Sequence, residues 1–151
     1  MSKKIKNLLY NHCKSSIKSR LLNYKKRSKD LYLSLNSETK SSAGDKHETG
    51  RAMIQLEIEK IAKQIHEIET EYLLFSKIKT NLFLDNIVNG SLVITHKNQY
   101  YLCVSAEEFN YNSKTYYCIS KKSPIGLVLI GKKIGDKILF NKKEIEILKI
   151  Y

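Results

Sequence analysis

Ile54-Gln55-Leu56-Glu57-Ile58-Glu59-Lys60-Ile61-Ala62-Lys63-Gln64-Ile65-His66-Glu67-Ile68 runs on to Tyr72 and Phe75, and the apolar spacing of this stretch decides the fold. Ile54, Ile58, Ile61, Ile65, Ile68, Tyr72 and Phe75 follow one another at alternating steps of four and three. That alternation keeps a single stripe of a helix apolar and marks a coiled-coil seam. No Pro or Gly interrupts the run, which reads as a helix from about Arg51 to Ile78. A second seam lies upstream, in a helix read from about Ile5 to Leu35: Ile17, Leu21, Tyr24, Ser28, Leu31 and Leu35 take the same steps. Between the two, Asn36 to Gly50 is rich in Ser, Thr, Asn and Gly and is expected to be a loop that folds the second helix back, antiparallel to the first. A helix of roughly 30 residues is on the order of 45 Å long. A two-helix hairpin has little core of its own, so a long one usually serves as a probe or a docking arm.

After Thr80 the period changes to two and β-formers dominate. Leu82–Val88, Ser91–His96, Gln99–Ser105, Lys114–Ser120, Lys137–Phe140 and Glu144–Tyr151 read as strands. Asn89-Gly90 is a hairpin-turn dipeptide. Ser123-Pro124 opens a short helix over Ile125–Ile130, since Pro suits the first helical turn, and Gly131 ends it. The expected fold class is α+β: an antiparallel two-helix coiled-coil hairpin over residues 1–80, with its tip loop at 36–50, followed by a small, mostly antiparallel β-sheet domain with one short helix over 81–151.

Composition narrows the function classes. Lys plus Arg number 27 against 15 Asp plus Glu, a net charge of +12, and no acidic residue occurs before Asp30. Such a field favours a polyanion or an acidic protein surface as partner without choosing between them. Lys14, Lys18 and Arg20 interrupt any apolar run near the start, and no window approaches the roughly 18 apolar residues that span a membrane. A cytoplasmic protein without a membrane association is expected. Cys13, Cys103 and Cys118 are far apart in sequence and form no CxxC pair, which fits a reducing compartment and gives no zinc-ligand spacing. Cys103 and Cys118 fall in expected strands and read as small core residues. His12, His66 and His96 are scattered.

Two motifs resemble one family. Ser123-Pro124-Ile125-Gly126, continuing through Leu129-Ile130-Gly131-Lys132-Lys133 to Gly135-Asp136, resembles the C-terminal FKBP-like domain of the Gre-type transcript-cleavage factors. Gly44-Asp45-Lys46-His47-Glu48, lying between the two seams, is similar to the Gly-Asp-x-x-Glu tip of the Gre coiled coil. Gre tips usually continue Asn-Ala-Glu-Tyr; here Thr49-Gly50-Arg51-Ala52 follows, which changes the flexibility and the charge beside the carboxylates.

The resemblance implies an accessory factor, not itself an enzyme, that enters the secondary channel of bacterial RNA polymerase when the RNA 3′ end has been extruded by backtracking. Asp45 and Glu48 would then help hold a Mg²⁺ at the polymerase active site, shared with the polymerase and not bound by the factor alone, so that the polymerase hydrolyses the backtracked RNA. Mg²⁺ takes hard oxygen ligands and few of them from protein, so two carboxylates are the right kind and number. The same Asp-x-x-Glu spacing also describes a capping box, with Asp45 as N-cap and Glu48 three residues on, and the two roles are compatible. His47 sits between the acids and reads as a solvated loop residue. Lys46 and Arg51 beside the tip, and Lys25, Lys26 and Arg27 on the first helix, are candidates for RNA or polymerase contact, against the plainer reading of a solvated helix face. The family implies that the region of Ser123, Pro124 and Ile125 docks on the polymerase, while Ile125 and Leu127 are assignable either to the core or to that partner. A monomer with no small-molecule substrate is expected. The alternatives are a channel-occupying regulator that stimulates no cleavage and a nucleic-acid-binding protein acting without polymerase; prolyl isomerase or cysteine acyltransferase activity is disfavoured, because the chain lacks Trp and any oxyanion loop near Cys13.

Overall fold

A computed structural model describes residues 2–40, 44–80 and 84–151. The elements in chain order are α1 (Ser2–Lys40), α2 (Asp45–Ser76), β1 (Leu92–Thr95), β2 (Gln99–Cys103), β3 (Phe109–Tyr111), β4 (Lys114–Ser120), α3 (Pro124–Leu129), β5 (Lys137–Phe140) and β6 (Lys143–Ile150). Two compact units share α1 and α2: Ile17–Leu73 forms one, and Met1–Ser16 with Leu74–Tyr151 forms the other.

In the all-helical unit both seams face inward. Ile17, Ile58, Ile61 and Ile68 are buried, and Leu21, Tyr24, Leu31, Leu35, Ile54 and Ile65 are half-buried, while most positions between them are exposed. The helices are antiparallel: Arg20 pairs with Glu71 at 2.7 Å, Lys25 with Glu69 at 3.3 Å, and Arg27 with Glu57, the partner number falling as the first rises. The loop expected over 36–50 is much shorter. Helix α1 continues through Asn36–Lys40, and α2 already starts at Asp45. Ser, Asn and Thr weaken a helix only modestly, and extending a helix already formed is easier than starting one. Positions 41–43 lie outside the described residues.

In the other unit a six-stranded sheet has the order β3-β4-β2-β1-β6-β5, antiparallel throughout except for the parallel pair β2 and β4. One face carries Val93, Tyr100, Leu102, Ile138, Ile145 and Ile147, which close over Ile125 and Leu129 of α3 and over Ile87. The other presents Leu92, Tyr101 and Cys103, and its buried apolar side chains share this unit with Ile5, Leu9, Cys13 and Phe75 of the two helices. Tyr10 stacks on Phe75 with ring centroids 4.4 Å apart.

Three sequence expectations change here. Leu82–Val88 is not a strand: its described part, Leu84–Val88, contributes only a single bridge, Asn86 with Lys133, and the rest lies outside the described residues. Asn89-Gly90 does turn the chain, with the Ser91 amide donating to the Val88 carbonyl at 3.0 Å, but only Gly90 has positive φ (95°). That is a type II turn, and with no strand before it there is no hairpin. The hairpins close instead at Asn112-Ser113 (φ 50° and 58°) and Asn141-Lys142 (φ 50° and 60°), type I′ geometry that Asn tolerates at the first position. The short strand β3 was not expected.

Cys13, Cys103 and Cys118 are distant in sequence yet meet in the core. All three are buried. A hydrogen bond to Cys103, and then burial, push the Cys13 thiol up despite an opposing bond to Cys118. The bond to Cys13 and burial push Cys118 up too. The Tyr101 hydroxyl beside them is buried without a hydrogen-bond partner, and burial raises it as well. Among the described residues, no helix is long and apolar enough to cross a membrane.

Gly126 explains why the Ser-Pro-hydrophobic motif ends as it does. A Cβ there would stand 2.1 Å from the Ser120 carbonyl oxygen and 3.0 Å from the Lys121 Cα. Gly126→Ala is therefore expected to destabilise the fold by about 1–3 kcal/mol, read as a lower urea midpoint. All three thiols are buried, so none should react with an aromatic disulfide reagent in the native protein, whereas all three react once it is unfolded.

Candidate functional site

The first turn of α2 carries the acidic pair. The Glu48 amide donates to the Gly44 carbonyl at 3.2 Å, so Gly44 is the N-cap and Asp45 the first helical residue. The capping box expected with Asp45 as cap is therefore not formed: Gly44 holds the cap position without a side chain, and Glu48 is the fourth helical residue. Gly is an acceptable cap because it reaches non-helical φ/ψ without a Cβ penalty. Acids belong in a first helical turn, where the unpaired backbone amides leave a partial positive charge. Positions 45 and 48 are three apart and share one side of the helix. Glu48 is exposed, as are Lys46 and Arg51. The side chains of Asp45 and His47 lie outside the described residues.

The basic candidates on α1 separate into two kinds. Lys25 and Arg27 are committed to ion pairs with Glu69 and Glu57 of α2, which reduces the charge they offer a phosphate. Such half-exposed pairs are worth about 0–1 kcal/mol each and set register more than stability. Lys26 between them is exposed. The ion-pair partners lie on the other helix, so no local sequence signal reveals them.

The Ser-Pro region belongs to the sheet-containing unit. Ser123 (φ −70°, ψ 156°) is the N-cap of α3: its hydroxyl accepts from the Gly126 amide at 3.1 Å and donates to the Ser120 carbonyl at 2.7 Å. Both capacities of that hydroxyl are used inside the domain. Pro124 is exposed, Ile125 is buried in the core, and Leu127 is 62% exposed. The ambiguity between Ile125 and Leu127 resolves: the first is core, the second faces solvent. Ile134, at 59% exposure, joins the outward apolar residues and was not singled out by the sequence, which places it beside a turn with no periodicity to read.

His12 bonds the Glu107 carbonyl at 2.8 Å and lies 5.2 Å from the Phe109 ring, while His96 accepts from the Glu146 amide at 3.1 Å. Both are structural contacts. Among the described residues no three His, Cys, Asp or Glu side chains are grouped as a metal site.

Gly50 lies inside α2, two residues past Glu48. A Cβ there would meet the Glu38 carboxylate oxygen at 3.8 Å, an ordinary contact. Gly50→Ala is expected to stabilise the chain by about 0.5–1 kcal/mol in urea unfolding, opposite in sign to the change at Gly126.

The family model described as transcription elongation factor, GreA/GreB, C-terminal, matches residues 83–151. A search among curated proteins finds no match. Similar solved structures include the GreA factor homolog 1 (Gfh1) protein of Thermus thermophilus, with 18% identity over 89% of this chain and 92% of that one and a TM-score of 0.36. A second is the transcription factor Gfh1, with 19% identity over 89% and 90% of the two chains and a TM-score of 0.35. Residues 83–151 are thus similar to the C-terminal domain of the GreA/GreB transcription elongation factors.

Proposed function

We propose that the chain is a transcription elongation factor that binds bacterial RNA polymerase, enters its secondary channel with the α1–α2 hairpin, and stimulates cleavage of backtracked RNA. The observation that carries this reading is a single chain joining the GreA/GreB C-terminal match to an antiparallel hairpin whose second helix opens on Gly44-Asp45-Lys46-His47-Glu48. The chemistry of the donor set fits Mg²⁺: two carboxylate positions on one helical turn offer hard oxygens and leave the remaining coordination to another molecule. When bound, such an ion supplies Lewis-acid stabilisation and activates water for phosphodiester hydrolysis.

The chain's own residues do the rest. Helix α2 fixes positions 45 and 48 relative to each other. Exposed Lys46 and Arg51 supply cationic contacts to RNA phosphate or to an acidic surface. Pro124 and Leu127 offer an apolar contact next to a turn that Ser123 and Gly126 hold rigid.

A second reading has a specific observation behind it. Arg51 is exposed about one turn beyond Glu48, at a tip whose acids it partly offsets, which suits a regulator that occupies the channel without stimulating cleavage. A stalled elongation complex with the cognate polymerase separates the two. Cleavage should rise on adding the wild-type protein and fall about 10²-fold with Asp45→Ala or Glu48→Ala, with polymerase binding retained. Binding by the wild type without any cleavage would establish the regulator.

A further inference from the structure

The sheet-containing unit holds a half-open cavity of about 560 Å³ that the elongation reading does not use. Its floor follows one row across four strands. Lys149 of β6 stands opposite Ile94 of β1, Ile94 opposite Gln99 of β2, and Gln99 opposite Tyr116 of β4. Directly paired residues point to one face, so this row places a cation, an amide and an aromatic ring side by side. Tyr111 and Lys114, paired at the end of the β3–β4 hairpin, close one end, and Tyr151 and the Lys4 side of α1 contribute to the wall.

Three features of the lining point the same way. Lys4, Lys114 and Lys149 are exposed, and among the described residues no Asp or Glu lines the cavity. Tyr111, Tyr116 and Tyr151 give flat aromatic surface, with Gln99 and Asn112 offering amide groups to polar edges. The volume falls within the roughly 300–1,000 Å³ common for small-ligand sites. A phosphate ion alone would leave the tyrosines without a role, and an apolar ligand would leave the lysines without one. We infer that the cavity binds a nucleotide, with the base against the tyrosine rings and the phosphates on the lysines. The site is separate from the acidic tip and does not depend on the cleavage reading. The ligand is bound, not converted, so an effector is meant and not a substrate.

The test is calorimetric titration of the full chain with ATP, adenosine, tripolyphosphate and a short oligoribonucleotide. Saturable ATP binding is expected, with adenosine and tripolyphosphate each weaker by about tenfold or more. Lys114→Glu, Lys149→Glu and Tyr111→Ala should each weaken ATP binding by about tenfold, with unchanged thermal melting, whereas Lys142→Glu in the β5–β6 turn should leave it intact. Asp45→Ala should also leave ATP binding intact, which keeps this outcome independent of the cleavage assay. Absence of saturation at about 1 mM ATP would overturn the inference. So would tripolyphosphate binding as well as ATP, since the tyrosines would then contribute nothing. An oligoribonucleotide bound about tenfold more tightly than ATP, and lost in the same variants, would replace the free nucleotide by an RNA strand.

Discussion

Strands β1 and β2 bury side chains on both faces: Val93, Tyr100 and Leu102 on one side, Leu92, Tyr101 and Cys103 on the other. A sheet whose middle is apolar on both sides needs two covers, because exposed apolar area costs about 25 cal/mol per Å². Helix α3 provides one cover, and it is held at the necessary closeness by the missing side chain at Gly126. Ile5, Leu9, Cys13 and Phe75 belong to the other side of the account, so the first turns of α1 and the last of α2 are part of the sheet's core before they are part of a hairpin.

How much of this was legible depended on how local the deciding interaction is. The seam from Ile54 to Phe75 was readable because every residue in it obeys one period, and burial follows that period. Strands β4 and β5 were readable for the same reason. Asn36–Lys40 was misread because its composition speaks for a loop, although Ser, Asn and Thr weaken a helix only modestly and α1 runs on through them. Leu84–Val88 has strand-like residues, yet Ile87 is used as a plug for the α3-side core and not as a ladder partner. The meeting of Cys13 with Cys103 and Cys118 spans about ninety positions and leaves no trace in any window.

The candidate site divides in the same manner. The spacing of Asp45 and Glu48, and their place between two seams, could be read directly; the shift of the cap to Gly44 could not, because it depends on which carbonyl accepts the first helical bond. Lys25, Lys26 and Arg27 look equivalent in sequence, and only the opposite helix makes them different, taking up two and leaving Lys26 outward. Ser123 and Ile125 carried the family signal, but the structure uses them to build the turn, so the surface beside that turn is formed by neighbours with a weaker signature.

The assignment of Met1–Ser16 to the sheet's unit has a consequence for how such a chain can be dissected. Similarity to the family begins at residue 83, whereas the folding unit begins at the other end of the polypeptide. Residues 83–151 expressed by themselves would carry a bare apolar face where Leu9, Cys13 and Phe75 belong. The matched segment is therefore not a portable module: moved without the start of α1, it would carry half of an interior.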